Sequence, residues 1–277
     1  VNEFYEIGGD EYFSSGICII EWGELIEEAF KLEKSIDVPC FVTPTEGITE
    51  ARLAYARFEG RSDDMARIAY ETAAQFSPQH LIAAIGPTGL PLDPTSAVSL
   101  KQSKKQYHDA VLALTQYPFD ALYFTGFKNL DDAQCALMGA RAVYDGPVFI
   151  SLAPNGEGMF PGGRTLSEGV ALCDEYGADV IGVVSDAPAH VLVGFAKEMA
   201  SATDKPLLVD ASVRRKDRRQ FEPTDENPYP TADAVVELAV RLRAQGVQFL
   251  RASGAATPAY TGALLATVGG GDVVAPQ

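Results

Sequence analysis

A chain of 277 residues, 47% hydrophobic and 22% charged, holds enough apolar material for one large domain or two ordinary ones. Its formal net charge of −16 argues against a general nucleic-acid or anionic-membrane surface, because phosphate binding relies on Lys and Arg. No apolar run reaches the ~20 residues that span a bilayer, and no basic stretch followed by an apolar one opens the chain, so neither a membrane segment nor a secretory signal is expected. Cys18, Cys40, Cys135 and Cys173 form no CxxC pair, which suits a reducing cytoplasm. His80, His108 and His190 are too dispersed to suggest a metal cluster.

In chain order, residues 1–16 are polar and irregular, and residues 16–21 (GICIIE) form a short apolar run that reads as a strand. Residues 24–34 then place Leu25, Ile26, Ala29, Phe30 and Leu32 at helical spacing. From there the chain alternates. Apolar runs at 40–45, 81–86, 121–125, 148–152, 180–185, 207–210 and 249–253 are separated by amphipathic stretches at 63–75, 103–117, 130–143, 166–176, 189–201 and 231–245. Near-continuous apolar strands joined by helices imply a parallel sheet buried on both faces. Seven such strands plus residues 16–21 make eight, which predicts a single α/β domain with the (β/α)8 TIM-type barrel fold and an atypical first strand. A doubly wound open sheet is the alternative, but no strand is followed by a GxGxxG or GxxxxGK[ST] loop.

Barrel sites lie at the C-terminal ends of the strands. Those ends carry Thr43, Thr45 and Glu46, then Thr125, then Ser151 and Asn155, then Ser185 and Asp186, Asp210 and Ser212, and finally Arg251 and Ser253. Of these, Thr43, Glu46, Thr125, Ser185, Asp186, Asp210, Arg251 and Ser253 are the candidate substrate-binding residues. Arg251 is suited to hold a carboxylate or phosphate in bidentate fashion, or to pair with Asp210 or Asp186 across the mouth. The basic run 213–219 (VRRKDRR) reads either as an anion-binding loop or as a solvated loop paired with Asp225 and Glu226. The Gly- and Pro-rich loop 154–164 is long enough to act as a lid.

Several of these segments carry a resemblance. TPTEG at 43–47, IGPTG at 85–89, the helix at 129–142, DVIGVVS at 179–185, the lead at 227–240 and RASGAATP at 251–258 resemble, in order and spacing, the homocysteine S-methyltransferase family of zinc-dependent barrels. The resemblance implies a TIM barrel that methylates a thiol, with zinc held by three cysteines. The positions that correspond to those cysteines are Ser185, Ser253 and Gly254; the family's Asn before the first is Val184, and its Glu after the fourth strand is Thr125. Serine hydroxyls are poor zinc ligands and glycine offers none, so no zinc or other cofactor is expected. A shorter resemblance, of residues 11–28 to the C-terminal part of the ATPase subunit of tRNA threonylcarbamoyladenosine synthesis, brings no phosphate loop with it.

Two functions follow as expectations. One is a cytoplasmic transferase that binds a small polar metabolite at the barrel mouth and moves a methyl group without zinc. The other is a non-catalytic relative that serves as a binding or partner subunit of a methyl-transfer system. Neither expects nucleic acid or membrane as a partner.

Overall fold

The computed structural model describes residues 18–215 and 220–268, with residues 18–26 as backbone alone. Its elements run α1 (Cys18–Ser35), β1 (Cys40–Thr43), α2 (Glu50–Tyr55), α3 (Ser62–Ala74), β2 (His80–Ile85), α4 (Ala97–Leu114), β3 (Ala121–Phe127), α5 (Leu130–Arg141) and β4 (Val148–Leu152). They continue with α6 (Leu166–Glu175), β5 (Val180–Ser185), α7 (Ala189–Ala202), β6 (Leu207–Val213), α8 (Ala234–Arg243), β7 (Phe249–Gly254) and α9 (Pro258–Val268). The seven strands are parallel and paired in chain order, β1 to β7.

The strands are apolar on both faces because both faces are covered. Outward side chains such as Ile150, Leu152, Ile181, Val183 and Val209 pack beneath the helices in one large core. Inward side chains, among them Ile82, Ala121, Val180 and Leu208 with Phe149 and Phe249, form a second core inside the curl. Phe149 and Phe249 come from strands three apart, yet their rings meet edge-on at 5.0 Å, which only a curled sheet permits. The architecture is therefore a TIM-like α/β half-barrel.

Among the described residues the expected first strand is absent. Residues 18–21 open α1 instead, and residues 16 and 17 lie outside the described residues, as does most of the 11–28 segment's start. A four-residue apolar run fits a helix as well as a strand, and here the longer i, i+4 pattern decides. Phe30 stacks flat on Phe41 of β1 at 5.0 Å, and Lys31 pairs with Glu27 at 3.2 Å one turn back. α1 packs against α3 and α9, so a helix spans the place where β1 and β7 are not paired to each other.

Other boundaries moved for local reasons. α4 begins at Ala97 rather than 103 because the Ser96 hydroxyl accepts the Ser99 N–H. α2 was not anticipated. β6 runs on to Val213 and β7 to Gly254, where they keep pairing, Ser212 with Ser253 and Val213 with Gly254. The 154–164 loop is pinned rather than lid-like: Asn155 Oδ1 accepts the N–H of Glu157 and Met159, Phe160 is buried, and Arg164 pairs with Asp131 at 3.0 Å. Among the described residues no helix is long and apolar enough to cross a membrane.

Candidate functional site

Parallel pairing keeps side chains of registered residues on one face, and successive residues alternate. Asp210 of β6 is registered with Arg251 of β7, in the inward row above Leu208 and Phe249. Tyr123 of β3 is also inward, below Thr125, and Ser151 of β4 is inward above Phe149. Four strands thus place a polar layer on top of the interior apolar cluster.

The layer is one connected network. Arg251 Nη1 donates to Asp210 Oδ2 at 2.8 Å, and Arg251 Nη2 lies 3.8 Å from Glu46 Oε1 just beyond β1. The guanidinium carbon sits 5.5 Å from the Tyr123 ring centroid. Tyr123 donates its hydroxyl hydrogen to Ser151 Oγ at 2.8 Å, and Ser151 in turn reaches Thr125 Oγ1 at 3.3 Å. The register of β3 against β4 shifts between Phe124 and Phe127, and there Gly126 N–H also turns to Ser151 Oγ at 3.3 Å. Asp210 is fully buried, and its second oxygen, Oδ1, has no hydrogen-bond partner.

Burial works against the Arg251 charge, but Asp210, Tyr123 and Glu46 outweigh it and hold the guanidinium well above its ordinary value. Burial, with the Asp210 charge behind it, pushes the Tyr123 hydroxyl up to about 12, so it stays a neutral donor. Glu33, in the last turn of α1, is pushed up to about 7 by burial, with Arg251 pulling the other way. That makes Glu33 a destabilising charge at high pH. In the unfolded chain it ionises near 4.5, in the folded chain near 7, so folding stability falls as pH rises through that window. A shift of this size in a dry site is worth about 3 kcal/mol; partial contact with water reduces the expectation to about 2 kcal/mol. Glu33→Gln is expected to match the parent at pH 4.5 and to exceed it by that amount at pH 8, read from urea unfolding. Equal pH profiles for the two proteins would show that Glu33 ionises normally.

Of the eight sequence candidates, Glu46, Thr125, Asp210 and Arg251 meet in this layer. Thr43 does not: it is buried in the row of Phe41, where its hydroxyl bonds Thr45 Oγ1 at 3.0 Å and the Ile82 carbonyl at 3.4 Å. Ser185 is registered with Ala211 in the outward row, and its hydroxyl accepts the Ala187 N–H at 3.2 Å. Asp186 lies on the rim, paired with Arg214 at 2.7 Å. That pair accounts for one end of the basic run; residues 216–219 lie outside the described residues. Ser253 is in the inward row, two residues above Arg251. Tyr123 was missed because an aromatic in a strand interior reads as core. Ser151 carried the right signal, a hydroxyl at a strand end.

The positions that would hold zinc do not converge. Ser185 and Ser253 are two strands apart on opposite faces. Gly254 has a left-handed backbone with φ of 71°, and a Cβ there would stand 2.5 Å from the Val213 carbonyl oxygen. A cysteine at that position would strain the chain and strike its neighbour. Among the described residues no group of three or more His, Cys, Asp or Glu is placed to hold a metal ion. The residues present do not fit the metal that the resemblance implies.

Comparison with known proteins gives a consistent picture of the fold. A family profile described as homocysteine S-methyltransferase matches residues 38–270. Among solved structures, the metallated form of the homocysteine methyltransferase MmuM from Escherichia coli superposes with a TM-score of 0.73 at 16% identity, covering 92% of this chain and 88% of that one. Its oxidized form gives the same values, and its apo form 0.69 at 16% identity over 90% and 87%. At that identity the likeness speaks for the fold alone. No curated protein sequence matches the chain.

Proposed function

The chain belongs to the homocysteine S-methyltransferase family, and from that premise we propose that it is a zinc-independent member that binds a small polar metabolite at the mouth of its barrel. The observation that carries this reading is the inward polar layer of Glu46, Thr125, Ser151, Asp210 and Arg251, set where barrel folds keep their sites. In its catalytic form the reaction is methyl transfer to a thiol or amine. The acceptor's lone pair forms the new bond to the methyl carbon, the donor leaves with the old bonding pair, and the acceptor's proton passes to a carboxylate such as Glu46. Free thiols at Cys40, Cys135 and Cys173 support a reducing, cytoplasmic setting.

A second reading is a non-catalytic relative that acts as a binding or partner subunit of a methyl-transfer system. It is favoured by the Arg251–Asp210 pair, which occupies the interior with the chain's own charges.

Two measurements test the proposal. Protein purified without a metal-binding tag is expected to hold no stoichiometric zinc and to unfold at the same temperature with and without chelator; one zinc per chain would overturn it. Methyl transfer from S-methylmethionine, S-adenosylmethionine or a methyl-corrinoid to a thiol or amine is the activity expected of the enzyme. A folded, zinc-free protein that transfers from none of them leaves the binding subunit as the reading.

A further inference from the structure

The polar layer is unbalanced in a way that specifies a ligand, an inference that rests on the mouth being the binding site. Asp210 is 0% exposed, and only one of its oxygens is served. Even there the service is thin. Oδ2 takes Arg251 Nη1 at 2.8 Å, whereas Tyr123, at 3.4 Å, has a single hydrogen and already gives it to Ser151 at 2.8 Å. Oδ1 is buried without any donor. Buried carboxylate oxygens are almost always hydrogen-bonded, so this one calls for a donor that the chain itself does not supply.

The charge balance points the same way. Glu46 and Asp210 flank one cation, Arg251, and Glu33 lies near enough to feel its charge. The layer is therefore net negative whether or not Glu33 holds its proton. Arg251 and Glu46 keep 26% and 39% of their side-chain surface open, so the layer is reached from the mouth. An anionic ligand would meet the carboxylates with Arg251 already engaged. A quaternary ammonium would balance the charge and leave Oδ1 without a hydrogen-bond donor.

We propose that the barrel mouth recognises a primary ammonium group, carried by an alkylamine ligand, with Asp210 Oδ1 as its buried acceptor and Glu46 as its second carboxylate. The ammonium has three donors, enough to reach both acidic oxygens and one hydroxyl of the Thr125–Ser151 pair. No proton needs to leave it on binding.

The test uses the full chain and defined probes: ethylammonium chloride, tetramethylammonium chloride and sodium propionate at matched ionic strength, with the thermal unfolding midpoint as readout. Ethylammonium is expected to raise the midpoint saturably, and the other two to act only as salt. Glu46→Gln, at the partly open rim, is expected to fold normally and to bind ethylammonium about tenfold more weakly, as loss of one charge-assisted hydrogen bond implies. Asp210→Asn is expected to abolish binding, and Glu46→Gln keeps the test decisive if that variant does not fold. Identical responses to all three salts, or equal binding by parent and Glu46→Gln, would overturn the assignment and leave Oδ1 to a buried water. Methyl transfer without ethylammonium binding would sink this inference and spare the proposed function. Ammonium binding without methyl transfer would uphold the inference and turn the protein toward the binding-subunit reading.

Discussion

Arg251→Ala is expected to lower folding stability by about 3–5 kcal/mol, the usual cost of leaving a buried charge without its partner. Asp210 is fully buried and takes its one short hydrogen bond from Arg251 Nη1. Truncating Arg251 strands that carboxylate and also removes the guanidinium from the Tyr123 ring. Arg251→Lys is expected to recover only part of the loss, because a point charge does not reproduce the planar fork that faces Asp210 and Glu46 at once. The double variant Asp210→Ala/Arg251→Ala is expected to lose less than the two single variants combined, since neither charge is then left alone. Urea unfolding of the four proteins checks this. Strict additivity would mean that the pair does not couple and that the layer is merely solvated.

Gly182→Ala is expected to cost about 3 kcal/mol, the upper end for adding one methyl to a packed interior. Gly182 is registered with Ser151 on one side and Leu208 on the other, in the inward row of β5. A Cβ there would press on the Leu208 carbonyl oxygen and lie 2.8 Å from Leu208 Cβ. Backbone cannot swing aside as a side chain does, so β5 and β6 must part. β6 carries Asp210 two residues on, so the same variant is expected to weaken ligand binding at the mouth. Gly194→Ala in α7 is the control: nothing stands within 4 Å of its Cβ, and a helical alanine is expected to stabilise by about 0.5–1 kcal/mol. A Gly182→Ala protein as stable as the parent would show that the two strands have slack.

Much of the architecture was legible because parallel strands buried on both faces leave continuous apolar runs that amphipathic helices punctuate. β3, β4 and β5 begin at the residues where those runs begin, 121, 148 and 180. The failure at 16–21 has the same root. Four apolar residues satisfy either period, and the longer helical pattern that runs on to Phe30, stacked on Phe41, decides.

The polar layer was legible in part. Residue type and strand-end position were enough to single out Glu46, Thr125, Asp210 and Arg251, and even the Arg251–Asp210 pair as one option. They were not enough to reject Thr43 and Ser185, because a shift of one residue along a strand turns a side chain from the interior to the helices. Only the register places Thr43 beside Ala83 and Ser185 beside Ala211.

By itself, then, the amino-acid sequence determined the α/β alternation and the family, both of which are properties of residue type and local spacing. Tertiary structure decided the rest: seven paired strands with a helix across the gap, the left-handed turn at Gly254, and the meeting of Glu46, Asp210 and Arg251. Residues 46, 210 and 251 are neighbours only because the sheet curls, and the same curl buries the carboxylate oxygen of Asp210 that no donor of the chain reaches.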